Sequence, residues 1–417
     1  MRALAAVATA LLLVSAGCGG ASPAGAERRS RAQLSTELRK AVTVAGMRRH
    51  LAALQGIADA NGGNRAAGTP GYNASVRYVR TQLARAGLRV RLQSFPYVRF
   101  VVDLVRAEQL TPAQHDLAAR AFEYSGSGKV RGQVVAAGDG CQGGDFGPEN
   151  RGKIALIRRG TCFFAIKAGN AVRAGATAAI IANNQPGSLS ATLVEPGIGI
   201  PVVGVTQAAG SNLAGGTAEV EVRARTIRTS VNNVIADAPR SSAPTLMLGG
   251  HLDSVSAGAG IDDNASGVAM LIELAKAAQR LEPRHHLRFG FWGAEESGLH
   301  GSRAYTRVAA NRRAVVGYLN FDMLGAKNYS RQIYRGPFAS IFQRYFAARG
   351  QESQTIDIEG RSDHASFDAV GIPTGGLFSG GDPCYHQRCD RVPNVNLRAL
   401  DELSDAAAHA AAMLEPR

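Results

Sequence analysis

Histidine and carboxylate side chains of this 417-residue chain gather in five short stretches of its second half. "GGHLDSVSAGAGIDDNASG" carries His251, Asp253, Asp262 and Asp263, and "GAEESGLHGS" carries the adjacent pair Glu295 and Glu296. "NFDMLG", "GRSDHASF" and "CYHQRCD" add Asp322, His364 and His386. Two imidazoles with several carboxylates form a hard-to-borderline donor set, suited to two zinc ions. Taken singly, each has a plainer reading. A lone His or Asp at a strand end is usually a satisfied polar residue, Asp262 and Asp263 can cap a helix, and Glu295–Glu296 can form a solvated turn. Their joint occurrence favours the metal. The glutamate pair poses its own question, because a strand sends neighbouring side chains to opposite faces.

The elements that must position these residues are legible from Ser230 onward. "TLMLGGHLDSV", "HLRFGFWGAEE", "AVVGYLNFDML" and "PTGGLFSG" read as apolar strands, and "SGVAMLIELAKAAQRL" as a helix between two of them. Alternating strands and helices predict an α/β fold: a mainly parallel, mixed sheet flanked by helices, with ligands beyond the carboxyl ends of its strands. Upstream, "LRKAVTVAGMRRHLAALQGIADANGG" reads as helices starting near Leu34 and closing on a Gly/Asn stop. "RAAGTPGYNASVRYVRTQLARAG" follows as a loop opening a further helix, and "LRVRLQSFPYVRF" as a strand. From about Thr111 to Arg228 the texture changes to short β-like pieces around one helix, without clustered acids and histidines, as expected of an inserted β-rich domain.

Composition is that of a globular enzyme, with 45% hydrophobic residues and 49 glycines. The net charge of +14 is spread over scattered arginines, so no nucleic-acid partner is expected. After Met1-Arg2, the apolar run "ALAAVATALLLVSAG" is too short to span a bilayer and ends on small residues before Cys18. It resembles a lipoprotein signal (1–17) with Cys18 as the lipidated residue, and release by simple cleavage is the alternative. Residues 18–33 read as a tether. An exported chain can form disulfides, and with Cys18 set aside three pairings of the other four cysteines remain open. Cys141–Cys162 with Cys384–Cys389 is the most local.

Together the five motifs resemble the M28 family of co-catalytic zinc aminopeptidases, strongly over Val231 to the C-terminus and weakly over Leu34–Gln109. "RGKIALIRRGTCFFAIKAGNAVRAGATAAIIANN" is similar to protease-associated domains. The resemblance implies peptidase segments 34–110 and 229–417 around a protease-associated domain at 111–228, the latter with a lid or access role. It implies two Zn²⁺ per chain, one held by His251 and Asp322, the other by Glu296 and His386, with Asp263 bridging. Asp253 would accept the second N–H of His251, and the Asp263–Asn264 peptide would be cis. Glu295 would take a proton from a water shared by the ions and deliver it to the leaving amine. Tyr385 would donate to the oxyanion, the Cys384–Cys389 bridge would brace the turn presenting Tyr385 and His386, Arg361 and Phe378 would line the substrate pocket, and His364 would be structural. Between "GGLFSGGD" and "PCYH" the chain is shorter than in single-domain relatives, which leaves that wall of the pocket to the inserted domain.

The expected protein is therefore an exported, lipid-anchored, monomeric aminopeptidase acting on peptides with a free N-terminus. Its rivals are a carboxypeptidase or dipeptidase on the same metals, a single-zinc glutaminyl cyclase, and a receptor-like protein with a decayed site. The intact Glu295–Glu296 pair and second histidine speak against the last two.

Overall fold

The computed structural model describes residues 29–238, 244–283 and 286–414. Cys18, the signal segment and residues 18–28 of the tether lie outside the described residues. The first helix, Arg31–Ala41, begins three residues ahead of Leu34 because Ser30 caps it. The Ser30 hydroxyl accepts the Gln33 N–H while the Gln33 side chain accepts the Ser30 N–H, which satisfies two otherwise orphaned donors. Helices Val44–Asp59 and Pro70–Arg85 follow, each started by a threonine hydroxyl.

Four parallel strands form the centre of the larger sheet, in the order Thr374–Phe378, Val315–Phe321, Thr245–His251 and His286–Trp292. Gln332–Tyr334 pairs antiparallel on one flank and Thr217–Asp237 on the other. Every residue of Thr245–His251 is buried, as a strand covered on both faces requires. Leu246 and Leu248 face the larger core, which they share with helix Gly267–Leu281, the N-terminal helices and the C-terminal helix Leu397–Met413. Met247 faces the opposite side and an aromatic core of Trp292, Tyr305, Tyr318 and Phe367, where the Tyr318 and Phe367 rings stack at 3.8 Å. Burying these four aromatic side chains contributes several kcal/mol.

The strand expected to end near Phe100 runs on to Thr111. Its partner Thr217–Asp237 continues beside it, from Arg89 opposite Asp237 to Thr111 opposite Thr217. This ribbon belongs to both domains. One end borders His286–Trp292 of the larger sheet, and the other pairs with Gly128–Ala136. Gly128–Ala136, Ile154–Arg158, Ala178–Ala182 and Val202–Val205 then lie side by side in parallel, with helix Phe164–Arg173 between the second and third. The β-rich insert thus grows from the larger sheet without a linker. Disulfides join Cys141 to Cys162 and Cys384 to Cys389.

Candidate metal centre

The central parallel strands deliver their polar residues to one edge. Thr245–His251 ends on His251, His286–Trp292 leads into Glu295 and Glu296, and Val315–Phe321 into Asp322. Ala294 and Met323 adopt left-handed backbone, with φ of 57° and 53°, so the chain turns sharply where each strand stops. That turn settles the question raised by the glutamates. Beyond the pleat, Glu295 and Glu296 both line the same cavity of about 340 Å³.

His251 Nε2 lies 3.0 Å from Asp263 Oδ1 and 3.2 Å from Asp322 Oδ1. His386 Nε2 lies 2.9 Å from Glu296 Oε2 and 3.4 Å from Asp263 Oδ2. The five residues form two trios, His251–Asp263–Asp322 and Asp263–Glu296–His386, whose donor atoms lie within 4.8 Å of one another. Asp263 belongs to both and turns a different oxygen to each. Two nitrogens and three carboxylates in two clusters sharing one carboxylate fit a pair of borderline cations. A buried Glu296 oxygen, Oε1, has no hydrogen-bond partner, which leaves it free for such a cation.

The second layer departs from expectation at Asp253. The N–H of His251 Nδ1 is 3.1 Å from the backbone carbonyl of Asp253, whereas the Asp253 carboxylate stands 3.8 Å away. That carboxylate accepts instead the backbone N–H groups of Glu295 at 3.2 Å and Glu296 at 3.4 Å. The carbonyl orients the imidazole because the chain bends there, and the side chain is turned towards the glutamates' N–H groups. Asp263–Asn264 is cis. Asn264 ties this loop to the neighbouring strand, donating to the Phe321 carbonyl at 2.9 Å and accepting the Met323 N–H at 3.2 Å. Neither Asp262 nor Asp263 caps the following helix, whose N-cap is Ser266.

The carboxylates are electrostatically unequal. Burial pushes Glu295 well above the ordinary carboxylate range, and nearby Asp363, Asp322 and Glu296 add to it against the opposing charge of His251. Burial alone would raise Asp263 too, but hydrogen bonds from His251 and His386 reverse this and hold it far below that range. Glu296 is pushed up to about 7, first by burial and then by Asp263. Burial thus raises both adjacent glutamates, while the two imidazoles keep Asp263 ionised.

Tyr385 is not a core aromatic. The residue is 49% exposed and lines the cavity, and its ring stacks on His386 at 3.8 Å. Arg361 and Phe378 also line the cavity, while His364 lies buried against Tyr334, outside both trios. The inserted domain does not supply the missing wall. The cavity's lining comes from the peptidase part alone, with Ile358, Gly381 and Asp382 beside Phe378. Chain returning from Thr374–Phe378 and the loop before Ser362 close it.

Two residues that hold the site had not been singled out by sequence reasoning. Asp390 is 2% exposed and accepts the N–H groups of Asp262 and Asp263, at 2.7 and 3.0 Å, one on each carboxylate oxygen. It directly follows Cys389, so one disulfide-closed turn presents His386 and also grips the backbone of Asp263. Ser362 donates to Asp322 Oδ2 at 2.6 Å and accepts from Asn320 at 2.8 Å. Their signal was adjacency, since both stand inside quoted motifs beside residues already assigned.

An α/β sheet with a shared-carboxylate cation site at its carboxyl edge defines a metal-dependent hydrolase. Residues 233–411 match the model of peptidase family M28, and residues 130–213 match that of the PA domain. The probable lipoprotein aminopeptidase LpqL of Mycobacterium tuberculosis is 36% identical over 427 residues, covering 88% of this chain and 84% of that protein. The solved aminopeptidase from Aneurinibacillus sp. strain AM-1 superimposes with a TM-score of 0.79 at 30% identity, over 90% of this chain and 95% of that one. BSAP, a zinc aminopeptidase from Bacillus subtilis, superimposes with a TM-score of 0.72 at 25% identity, over 88% and 94%. The chain belongs to peptidase family M28 and carries a PA domain; it is a metallo-aminopeptidase.

Proposed function

We propose that the chain is an exported di-zinc aminopeptidase that removes single residues from the free N-terminus of peptides. The observation that carries this reading is Asp263, whose two oxygens each meet a different histidine in a different trio. His251 and Asp322 would hold one zinc, Glu296 and His386 the other, and Asp263 both. Bound there, the ions supply positive charge that polarises the scissile carbonyl and makes water acidic enough to attack near neutral pH.

The chain's own residues do the rest. Glu295, kept basic enough by burial, accepts a proton on its carboxylate as water attacks, then passes it to the amine nitrogen as the C–N bond breaks. Tyr385 donates its hydroxyl proton in a hydrogen bond to the oxyanion. Asp253 holds the backbone of both glutamates, and Arg361 and Phe378 border the N-terminal residue of the substrate. Export is supported by the two disulfides, by the segment ending at Cys18, and by the lipoprotein relative. Among the described residues no helix is long and apolar enough to cross a membrane, so anchoring would fall to a lipid on Cys18. Segments 34–110 and 229–417 would form the catalytic unit and 111–228 a domain governing access, the protein acting as a monomer.

The test is Glu295→Gln. The variant is expected to retain two zinc ions by elemental analysis while hydrolysis of aminoacyl p-nitroanilides falls by several orders of magnitude. Undiminished turnover would remove Glu295 from its role, and preferential cleavage of N-blocked dipeptides by the wild type would favour a carboxypeptidase.

A further inference from the structure

The loop joining His251 to Asp263 is folded around a side chain that belongs to neither strand nor helix of the site. Arg65 lies between helices Val44–Asp59 and Pro70–Arg85 and is wholly buried. Its Nε donates to the Ala259 carbonyl at 2.9 Å, its Nη2 to that of Gly260 at 2.6 Å, and its Nη1 to that of Leu252. Its backbone N–H donates to Ser254 Oγ at 2.9 Å, and that hydroxyl also reaches the Gly258 carbonyl at 3.0 Å. One planar group therefore joins the start of the loop, one residue past His251, to its end, three residues before Asp263.

The fit is close. Gly260 has φ of 63°, and a Cβ there would meet Ser254 Cβ at 2.5 Å and Arg65 Nη2 at 3.3 Å. Three carbonyls converging on a rigid fork of donors need a guanidinium, because a lysine ammonium is a single point that cannot span them. The charge has a partner field as well. Asp253, Asp390, Asp263 and Glu296 all act on Arg65, opposing the cost of its burial.

We propose that Arg65 is a positioning residue of the metal centre: its guanidinium sets the shape of the 252–260 loop, and with it the approach of Asp263 to His251. This rests on the reading of those carboxylates as metal ligands. Arg65 touches no reacting atom and acts through Leu252, Ala259 and Gly260. It also lies outside the 233–411 segment that carries the family match.

Two variants of the full chain separate fork from charge. Arg65→Lys keeps the charge and loses the fork; Arg65→Ala loses both and leaves a space that a free guanidinium ion can enter. Zinc affinity is read by chelator competition, ligand geometry by the visible absorption of the Co²⁺-substituted protein, and folding by circular dichroism. Arg65→Lys is expected to fold, to show an altered Co²⁺ spectrum, and to lose about 10-fold or more in zinc affinity and kcat, with KM changed by less than about 3-fold. Arg65→Ala is expected to lose more and to be partly restored by millimolar guanidinium but not by sodium. Wild-type zinc affinity and Co²⁺ spectrum in either folded variant would overturn the proposal. So would global unfolding of both, which would reduce Arg65 to a general core residue. A wild type binding one ion instead of two would sink the di-zinc reading alone, and the comparison of Arg65→Lys with wild type would still decide the role of Arg65.

Discussion

Replacing Asp390 with Asn should separate the stability of the fold from the geometry of its site. The native carboxylate accepts two backbone N–H groups, from Asp262 and Asp263. Bonds of this charge-assisted kind contribute about 1.5–3 kcal/mol each. An asparagine of the same shape keeps one acceptor and turns an NH₂ towards the other N–H, so about 3 kcal/mol of hydrogen bonding is lost. Set against this is the cost of the native charge. Burial, and then the charges of Asp263 and Asp382, push the Asp390 carboxyl up to about 6 from its ordinary 3.8 despite those bonds. Holding it ionised at pH 7 therefore costs about 3 kcal/mol net, a cost the neutral amide escapes. Because that cost is already net of the two bonds, their loss does not cancel it, and the Asp390→Asn protein should be at least as stable as the wild type at pH 7, by up to about 3 kcal/mol. The site fares worse, because the backbone of Asp263 loses one of its two anchors beside His386. Zinc affinity and kcat should each fall about 10- to 100-fold. Urea unfolding, chelator competition and hydrolysis of leucine p-nitroanilide measure the three quantities. An Asp390→Asn protein that binds zinc and turns over as the wild type does would refute the reasoning, whatever its stability.

His251→Ala should lower zinc content, measured by elemental analysis of the purified folded protein; an unchanged metal-to-protein ratio would count against the ligand assignment. Tyr385→Phe should lower kcat about 100- to 1,000-fold with little change in KM, as loss of one oxyanion donor does elsewhere, and wild-type kcat would leave Tyr385 only a wall of the pocket. Asp237 tests the acid side of stability. Burial would raise its carboxyl, but the His286 ring 3.2 Å away and the guanidinium of Arg288, whose Nε donates at 2.6 Å, bring it down to about 2. Its ionised form contributes about 2 kcal/mol above the unfolded value of 3.8, and this is lost as pH falls towards 2. Asp237→Asn should thus be less stable by that amount at pH 7 and equal to wild type near pH 2 in urea unfolding, and a deficit that persists at pH 2 would mean packing, not charge, was lost.

Residue type and local order alone were enough to place the four stretches that bear His251, Asp263, Glu295–Glu296, Asp322 and His386. A parallel strand buried on both faces must be a run of apolar residues, and the first polar residue after it must stand at the sheet's edge. Helix starts were legible for a similar reason, since hydroxyls such as Thr69 cap locally, although the capping box at Ser30 moved the first helix earlier than its apolar stripe suggested. What the linear order could not reveal was anything set by contact between distant segments. Nothing in "LRVRLQSFPYVRF" says that one ribbon would serve two sheets, because strand length depends on how far the partner strand continues. Likewise the pocket wall fell to Ile358 and Gly381 in preference to the inserted domain. Asp253 was expected to face His251, but only the folded turn brings the N–H groups of Glu295 and Glu296 within reach of its carboxylate. Arg65, read only as part of a loop, became the hub of the site because 186 residues of intervening chain fold back to bring Leu252 onto its guanidinium. Side-chain chemistry is written along the chain, whereas hydrogen-bond partners are chosen in space, where a buried donor takes the nearest acceptor that the packed backbone offers.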